Sequence, residues 1–130
     1  MRPIKNIEKI TELYSDWKPA QAAFIKSIEW SPGQLIICFY YRVGNASVGW
    51  TDSLQELYEL TFLFRNLSEV HINLGSNQFI QITGFDIFDI ADRGLEKLNY
   101  QVADYEAGKL DFCCEEIEVV SVTEPEMIML

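Results

Sequence analysis

One histidine and three cysteines are all that this 130-residue chain offers of the most versatile catalytic and metal-binding side chains. Cys113 and Cys114 would be the natural zinc ligands, but a zinc site arranges its ligands tetrahedrally about one ion. Neighbours on a strand project to opposite faces, so the pair reads as buried packing cysteines. His71 would have to be the base of any serine or cysteine nucleophile. It lies on the polar phase of a strand with no Gly-x-Ser-x-Gly elbow in the chain, and reads as an exposed histidine facing Glu69 or Asn73. Asp86, Asp89 and Asp92 recur every third residue, whereas a helix-loop-helix calcium loop needs acids at alternate positions and a glycine at its sixth. They read as a solvated acidic loop. Gly44 and Gly49 have the spacing of a phosphate loop, yet Trp50 stands where its lysine belongs. Asn45-Ala46-Ser47 and Asn66-Leu67-Ser68 match the glycosylation acceptor, which has meaning only in a secreted chain. Nothing in the spacing of the 20 acids picks out a glycosidase pair. These residues point to no enzyme, no metal and no cofactor.

Charge is the informative remainder. The formal net charge is −10, and residues 86–130 carry 12 acids against Arg93, Lys97 and Lys109, whereas residues 1–85 carry 8 acids against 7 bases. One third of the chain therefore makes nearly all of the field, and such a field governs solubility, association rate and choice of partner. It repels nucleic acid, whose recognition begins with phosphate neutralisation, and it repels anionic membrane. Asp104, Glu106, Asp111, Glu115, Glu116 and Glu118 intersperse with aromatic and aliphatic residues. The plain reading is a solvated face that keeps the chain soluble. The functional one is a docking surface for a basic protein, with Tyr105 as its aromatic anchor.

The elements that must carry these residues follow from period. Ile7, Ile10, Tyr14 and Trp17 form one apolar stripe, which predicts an N-terminal amphipathic helix with Asn6 as N-cap and Pro19 as its stop. From Gln21 the period is two. Phe24, Ile28 and Trp30 are expected on one face of a strand, and Ser31-Pro32-Gly33-Gln34 offers a type II turn. Strand 34–43 is apolar on both faces and reads as central. Tyr58, Leu60, Phe62 and Phe64 alternate with polar residues, as do Val70, Ile72 and Leu74, which suggests two half-buried antiparallel strands joined at Asn66-Leu67-Ser68. Ile80 and Ile82 mark another strand ending near Gly84. Residues 91–98 read as a helical turn or a lid. Strands over 100–105, 110–114 and 117–122 follow, with a bulge or bend at Glu115-Glu116 where the apolar phase slips. There is no internal repeat or low-complexity tract.

The expected fold is mainly β, a β-sandwich or curved antiparallel sheet of about eight strands with an N-terminal helix, in one domain over residues 1–130. The longest apolar run, Leu35 to Tyr41, is far short of a membrane helix. An odd cysteine count without a signal core reads as a cytoplasmic, reducing setting.

The strings Leu60-Thr61-Phe62-Leu63-Phe64-Arg65-Asn66-Leu67-Ser68-Glu69-Val70-His71-Ile72, Ile82-Thr83-Gly84-Phe85-Asp86-Ile87, Tyr100-Gln101-Val102-Ala103-Asp104-Tyr105-Glu106, Leu110-Asp111-Phe112-Cys113-Cys114 and Ile117-Glu118-Val119 resemble a family of small immunity proteins from bacterial polymorphic toxin systems. The likeness spans about residues 20–122. It implies a non-enzymatic, mostly β, cytoplasmic protein that neutralises a cognate toxin by binding. It transfers no site residue, since immunity surfaces vary with the toxin. The functional expectation is tight inhibition of a basic toxin through Asp104, Tyr105, Glu106, Asp111, Glu115, Glu116 and Glu118. The rival is a ligand-binding or enzymatic β domain whose pocket is lined by some of the 17 aromatics.

Overall fold

The alternation of large apolar and polar residues becomes two antiparallel sheets closed on one core in the computed structural model, which describes residues 4–43, 54–74, 80–82, 84–91, 98–104 and 108–129. The described residues form ten strands: β1 (Ala22–Ser31), β2 (Gln34–Arg42), β3 (Leu54–Arg65), β4 (Ser68–Ile72), β5 (Ile80–Gln81), β6 (Phe85–Asp89), β7 (Tyr100–Asp104), β8 (Leu110–Cys114), β9 (Glu116–Val122) and β10 (Glu126–Met129). The mainly β architecture with a short N-terminal helix is as expected, and the two extra strands are β6 and β10.

The larger sheet runs β10-β3-β2-β1-β5, with β9 also on β3. β3 is long enough to take two partners along one edge, β9 against Leu60–Arg65 and β10 against Leu54–Leu57. Thr123 bridges the break between them. Its amide donates to the Glu59 carbonyl at 3.0 Å, and its Oγ1 accepts from the Glu59 amide at 2.8 Å. Both backbone groups of Glu59 are satisfied where the ladder is interrupted. The smaller sheet runs β4-β8-β7-β6.

Inward residues of both sheets meet in a single cluster that includes Leu35, Ile37, Phe39, Tyr41, Tyr58, Leu60, Phe62, Phe64, Phe85, Val102, Phe112 and Val119. Phe39 against Phe85 at 4.8 Å and Phe64 against Phe112 at 5.0 Å are ring contacts from one sheet to the other. Aromatic pairs of this kind add to the area they bury.

Several expectations need correction. The helix, α1, spans only Glu8–Thr11, and Asn6 is not its cap but holds a left-handed φ of 62°, a conformation asparagine tolerates. The apolar stripe nonetheless packs as one. Ile10 is buried, Tyr14 stacks on Tyr58 at 3.8 Å, and Trp17 leans on Tyr41 and Phe62. Pro19 opens a 3-10 turn at Pro19–Gln21. Phe24 and Ile28 do not share a face, because β1 slips register between Ile25 and Ser27 and so turns Ile25 and Ile28 together into the core. Trp30 is 66% exposed.

The expected hairpin of residues 58–65 with 70–74 does not form. β3 pairs within the larger sheet and β4 within the smaller, and the chain switches sheets at Asn66, whose φ is 57°. Val70 and Ile72 are exposed on an edge strand rather than half buried. The chain revisits the larger sheet through β5, re-enters the smaller one at β6 and finally leaves it at Glu115, where a bend was expected; the first and last crossings touch through the Glu115 amide and the Arg65 carbonyl at 3.0 Å. The proposed lid over 91–98 lies mostly outside the described residues.

Burial pushes the phenols of Tyr41 and Tyr58 well above their ordinary 10.0, and that of the Cys114 thiol from 9.0 up to about 12. Above pH ~9 the unfolded chain therefore releases protons that the folded chain keeps, so stability falls as pH climbs from ~9 toward 12. Urea midpoints measured at about pH 8 and pH 10.5 should show the lower value at the higher pH, and equal midpoints would contradict the burial of these groups.

Candidate functional site

The acids expected to form one patch are dispersed by strand phase. Asp104 is not on the surface. It shares the inward phase of β7 with Tyr100 and Val102, pairs opposite Phe85, and is fully buried. Its Oδ1 accepts from the Leu110 amide at 2.7 Å while its carbonyl accepts from the Gly108 amide at 2.8 Å, so it closes the β7–β8 turn. Tyr105 and Glu106 lie outside the described residues. Glu115 occupies the corner between sheets, half-buried, where its carbonyl accepts from the Asn99 side chain at 2.9 Å.

Glu116 and Glu118 lie on the larger sheet and are engaged within the chain. Arg65 Nη1 sits 2.8 Å from Glu118 and 3.6 Å from Glu116, and Lys5 Nζ reaches Glu116 at 3.3 Å. Pairs this exposed are worth about 0–1 kcal/mol each, but they cancel much of the charge these carboxylates would offer a partner. Asp111 alone of the group is an exposed carboxylate with no ion pair among the described residues.

Asp111 belongs to the outer face of the smaller sheet. Register sets two cross-strand rows there: Asp86, Ala103, Asp111 and His71, then Phe88, Gln101, Cys113 and Ser68. Asp111, His71 and Phe88 are exposed, and Asp86 and Gln101 are half-buried. Phe88 is 39% exposed, unusual for a phenylalanine in a strand. Gln101 Nε2 donates to Asp111 at 3.3 Å, and Asp86 accepts from the Ile87 amide at 2.8 Å. Neither acid pairs with a described lysine or arginine. A depression of 520 Å³ opens here, lined by His71, Phe88, Gln101 and Asp111 among others. An aromatic edged by acids on a shallow surface suits a protein partner better than a small molecule.

Phe88 was not singled out in the sequence, and Asp86 and Asp89, expected in a solvated acidic loop, lie instead on strand β6. The signal was the alternation Phe85-Asp86-Ile87-Phe88, in which one aromatic falls on the polar phase. Asp89 ends β6 and caps the Ala91 amide at 3.0 Å. His71 is exposed on its strand but lies opposite Asp111.

The remaining chemistry is inert in form. Cys38, Cys113 and Cys114 are buried thiols that form no disulfide, with Cys114 in the core and Cys113 on the opposite face of β8. Among the described residues no three metal-ligating side chains converge, and no helix is long and apolar enough to cross a membrane. The Gly44–Gly49 spacing falls outside the described residues. The rings that a ligand pocket would need are packed on one another, as Phe39 is on Tyr41 and Phe62.

A family model described as immunity protein PIM8 matches residues 5–120 of the chain. No curated protein and no solved structure matches it.

Proposed function

The chain belongs to the immunity protein PIM8 family, and from that membership we propose that it neutralises a cognate toxin by non-covalent binding, without catalysing a reaction, in the cytoplasm of the bacterium that makes it. The observation that carries the reading is the open face of the smaller sheet, where Phe88 stands exposed beside Asp86 and Asp111. A net charge of −10 favours a basic toxin domain, because complementary fields speed encounter and fix orientation. Phe88 supplies the apolar anchor that a polar rim needs at its centre. Tyr105 and Glu106, in the segment that joins β7 to β8, are proposed as further contacts. Immunity then follows from occlusion: the toxin's basic surface is covered before it reaches its own target.

The test is growth. Cells that express the toxin domain encoded beside this chain should survive only when the chain is co-expressed, and the two purified proteins should co-elute. Survival without a complex, or a complex that leaves the toxin active, would sink the reading.

A further inference from the structure

An edge strand carries unpaired N–H and C=O groups that another chain can take up unless the edge is blunted. Most edges here are blunted. β5 has two residues, and β4 is broken by a register shift between Ser68 and His71 with Glu69 at a φ of 54°. The 3-10 turn at Pro19–Gln21 lies against β6. β9 is partly covered, since Lys5 donates to the Ile117 carbonyl at 2.9 Å and accepts from the Val119 amide at 2.9 Å.

β10 has no such device. Glu126–Met129 run in unbroken register against Leu54–Leu57, and no described strand pairs with the other side. Met127 and Met129 are 56% and 67% exposed, and Leu13 and Val120 are exposed beside a groove of 430 Å³ between α1 and the end of β9. Methionine suits a surface that must adapt to a partner. The surrounding charge is acidic. Glu56 lies opposite Met127, Glu126 opens the strand and Glu124 precedes it, all three are exposed, and none pairs with a described base. Burial, and then the charges of Glu124 and Glu56, raise the phenol of Tyr14 above its ordinary value.

We propose that β10 is a pairing edge for an extended basic segment of the partner, which adds to the larger sheet as a further strand. Its apolar side chains lie along Met127 and Met129, on the face that Glu56 shares, and its lysines or arginines lie along Glu126 on the other face. Backbone pairing supplies affinity and the acids select the sequence. A second copy of this chain is disfavoured, because it would bring the same acids together. The toxin as source of the segment rests on the function proposed above; the edge itself does not.

The experiment is amide hydrogen exchange on the full chain, alone, with the toxin domain, and with a short peptide of alternating valine and lysine. Outward-facing β10 amides should slow with either partner by about 10-fold or more, which is ~1.4 kcal/mol of added protection. Adjacent strand residues send their N–H groups to opposite edges, so of Met127→Pro and Ile128→Pro one breaks the pairing with β3 and lowers Tm. The other touches only the free edge. That Tm-neutral variant should bind both partners about 10-fold more weakly. Unchanged β10 exchange with both partners overturns the proposal, as does a Tm-neutral variant that binds within about twofold of the parent. Slowing that grows with the concentration of the chain alone overturns it too, in favour of self-pairing. Protection by the peptide with no binding of the toxin domain upholds the edge and removes the toxin reading.

Discussion

Phe62→Ala should cost about 3–5 kcal/mol of stability, the usual loss when a large aromatic is cut from a packed interior. Phe62 has no exposure and sits mid-strand on β3, with ring contacts to Phe39 at 6.1 Å, Phe64 at 5.8 Å and Trp17 at 6.2 Å. Its removal loosens the packing of β2, β3 and the N-terminal segment together, so the cavity has few ways to collapse. For a chain of this size the loss corresponds to a fall in Tm of roughly 10–20 °C. Ile72→Ala is the internal control. On the alternation alone the two residues look equivalent, but Ile72 is 36% exposed on an edge and its truncation should cost less than ~1.5 kcal/mol. Urea unfolding of both variants checks the pair, and comparable losses would refute the assignment of β4 to the outer rim.

The second large effect is on binding. Phe88→Ala should weaken the toxin complex by about 2 kcal/mol or more, some 30-fold in Kd, almost all of it in the dissociation rate. Asp86→Asn together with Asp111→Asn should act differently, slowing association by about 10-fold at low salt and less as the Debye length shrinks to ~8 Å. Glu116→Gln and Glu118→Gln should change association little, because Arg65 and Lys5 already hold those carboxylates. Stopped-flow association over a salt series separates these outcomes. Equal slowing by the two pairs of variants would give Glu116 and Glu118 a share in the charge steering and contradict its assignment to Asp86 and Asp111.

What could be read from the chain was whatever depends on local period. Tyr58, Leu60, Phe62 and Phe64 declare β3 because burial on one face dictates alternation, and the phase slip after Cys114 declares the bend at Glu115. Pairing is a different matter. Val70, Ile72 and Leu74 alternate as cleanly as the β3 residues, but whether β4 lies beside β3 or beside β8 is set by contacts distant in sequence. β6 was illegible because Phe88 faces outward, and β10 because four residues after a proline carry too little period. The burial of Asp104 was illegible for a related reason: composition counts carboxylates, and only phase separates Asp104, two residues from Val102 and buried, from the exposed Asp111. Pairing partners such as Arg65, some fifty residues away from Glu116 and Glu118, leave no trace in a local window.

The first and last crossings, at Asn66 and Glu115, also bear on how the chain reaches this state. β3 and β9 are neighbours in the larger sheet, yet all four strands of the smaller sheet lie between them in sequence. The β3–β9 ladder therefore closes a long loop, and that loop entropy must be spent before the pairing gives anything back. Folding should be slow for the size of the chain, on the millisecond-to-second scale of non-local β topologies. The same arrangement ties the sheets together once formed. The chain first enters the smaller sheet after Arg65 and finally leaves it at Glu115, and those residues are hydrogen-bonded to each other. Prying that sheet away strains the ladder it is stitched into, so the proposed toxin-binding face opens only when the whole domain does, and a bound toxin meets a rigid surface.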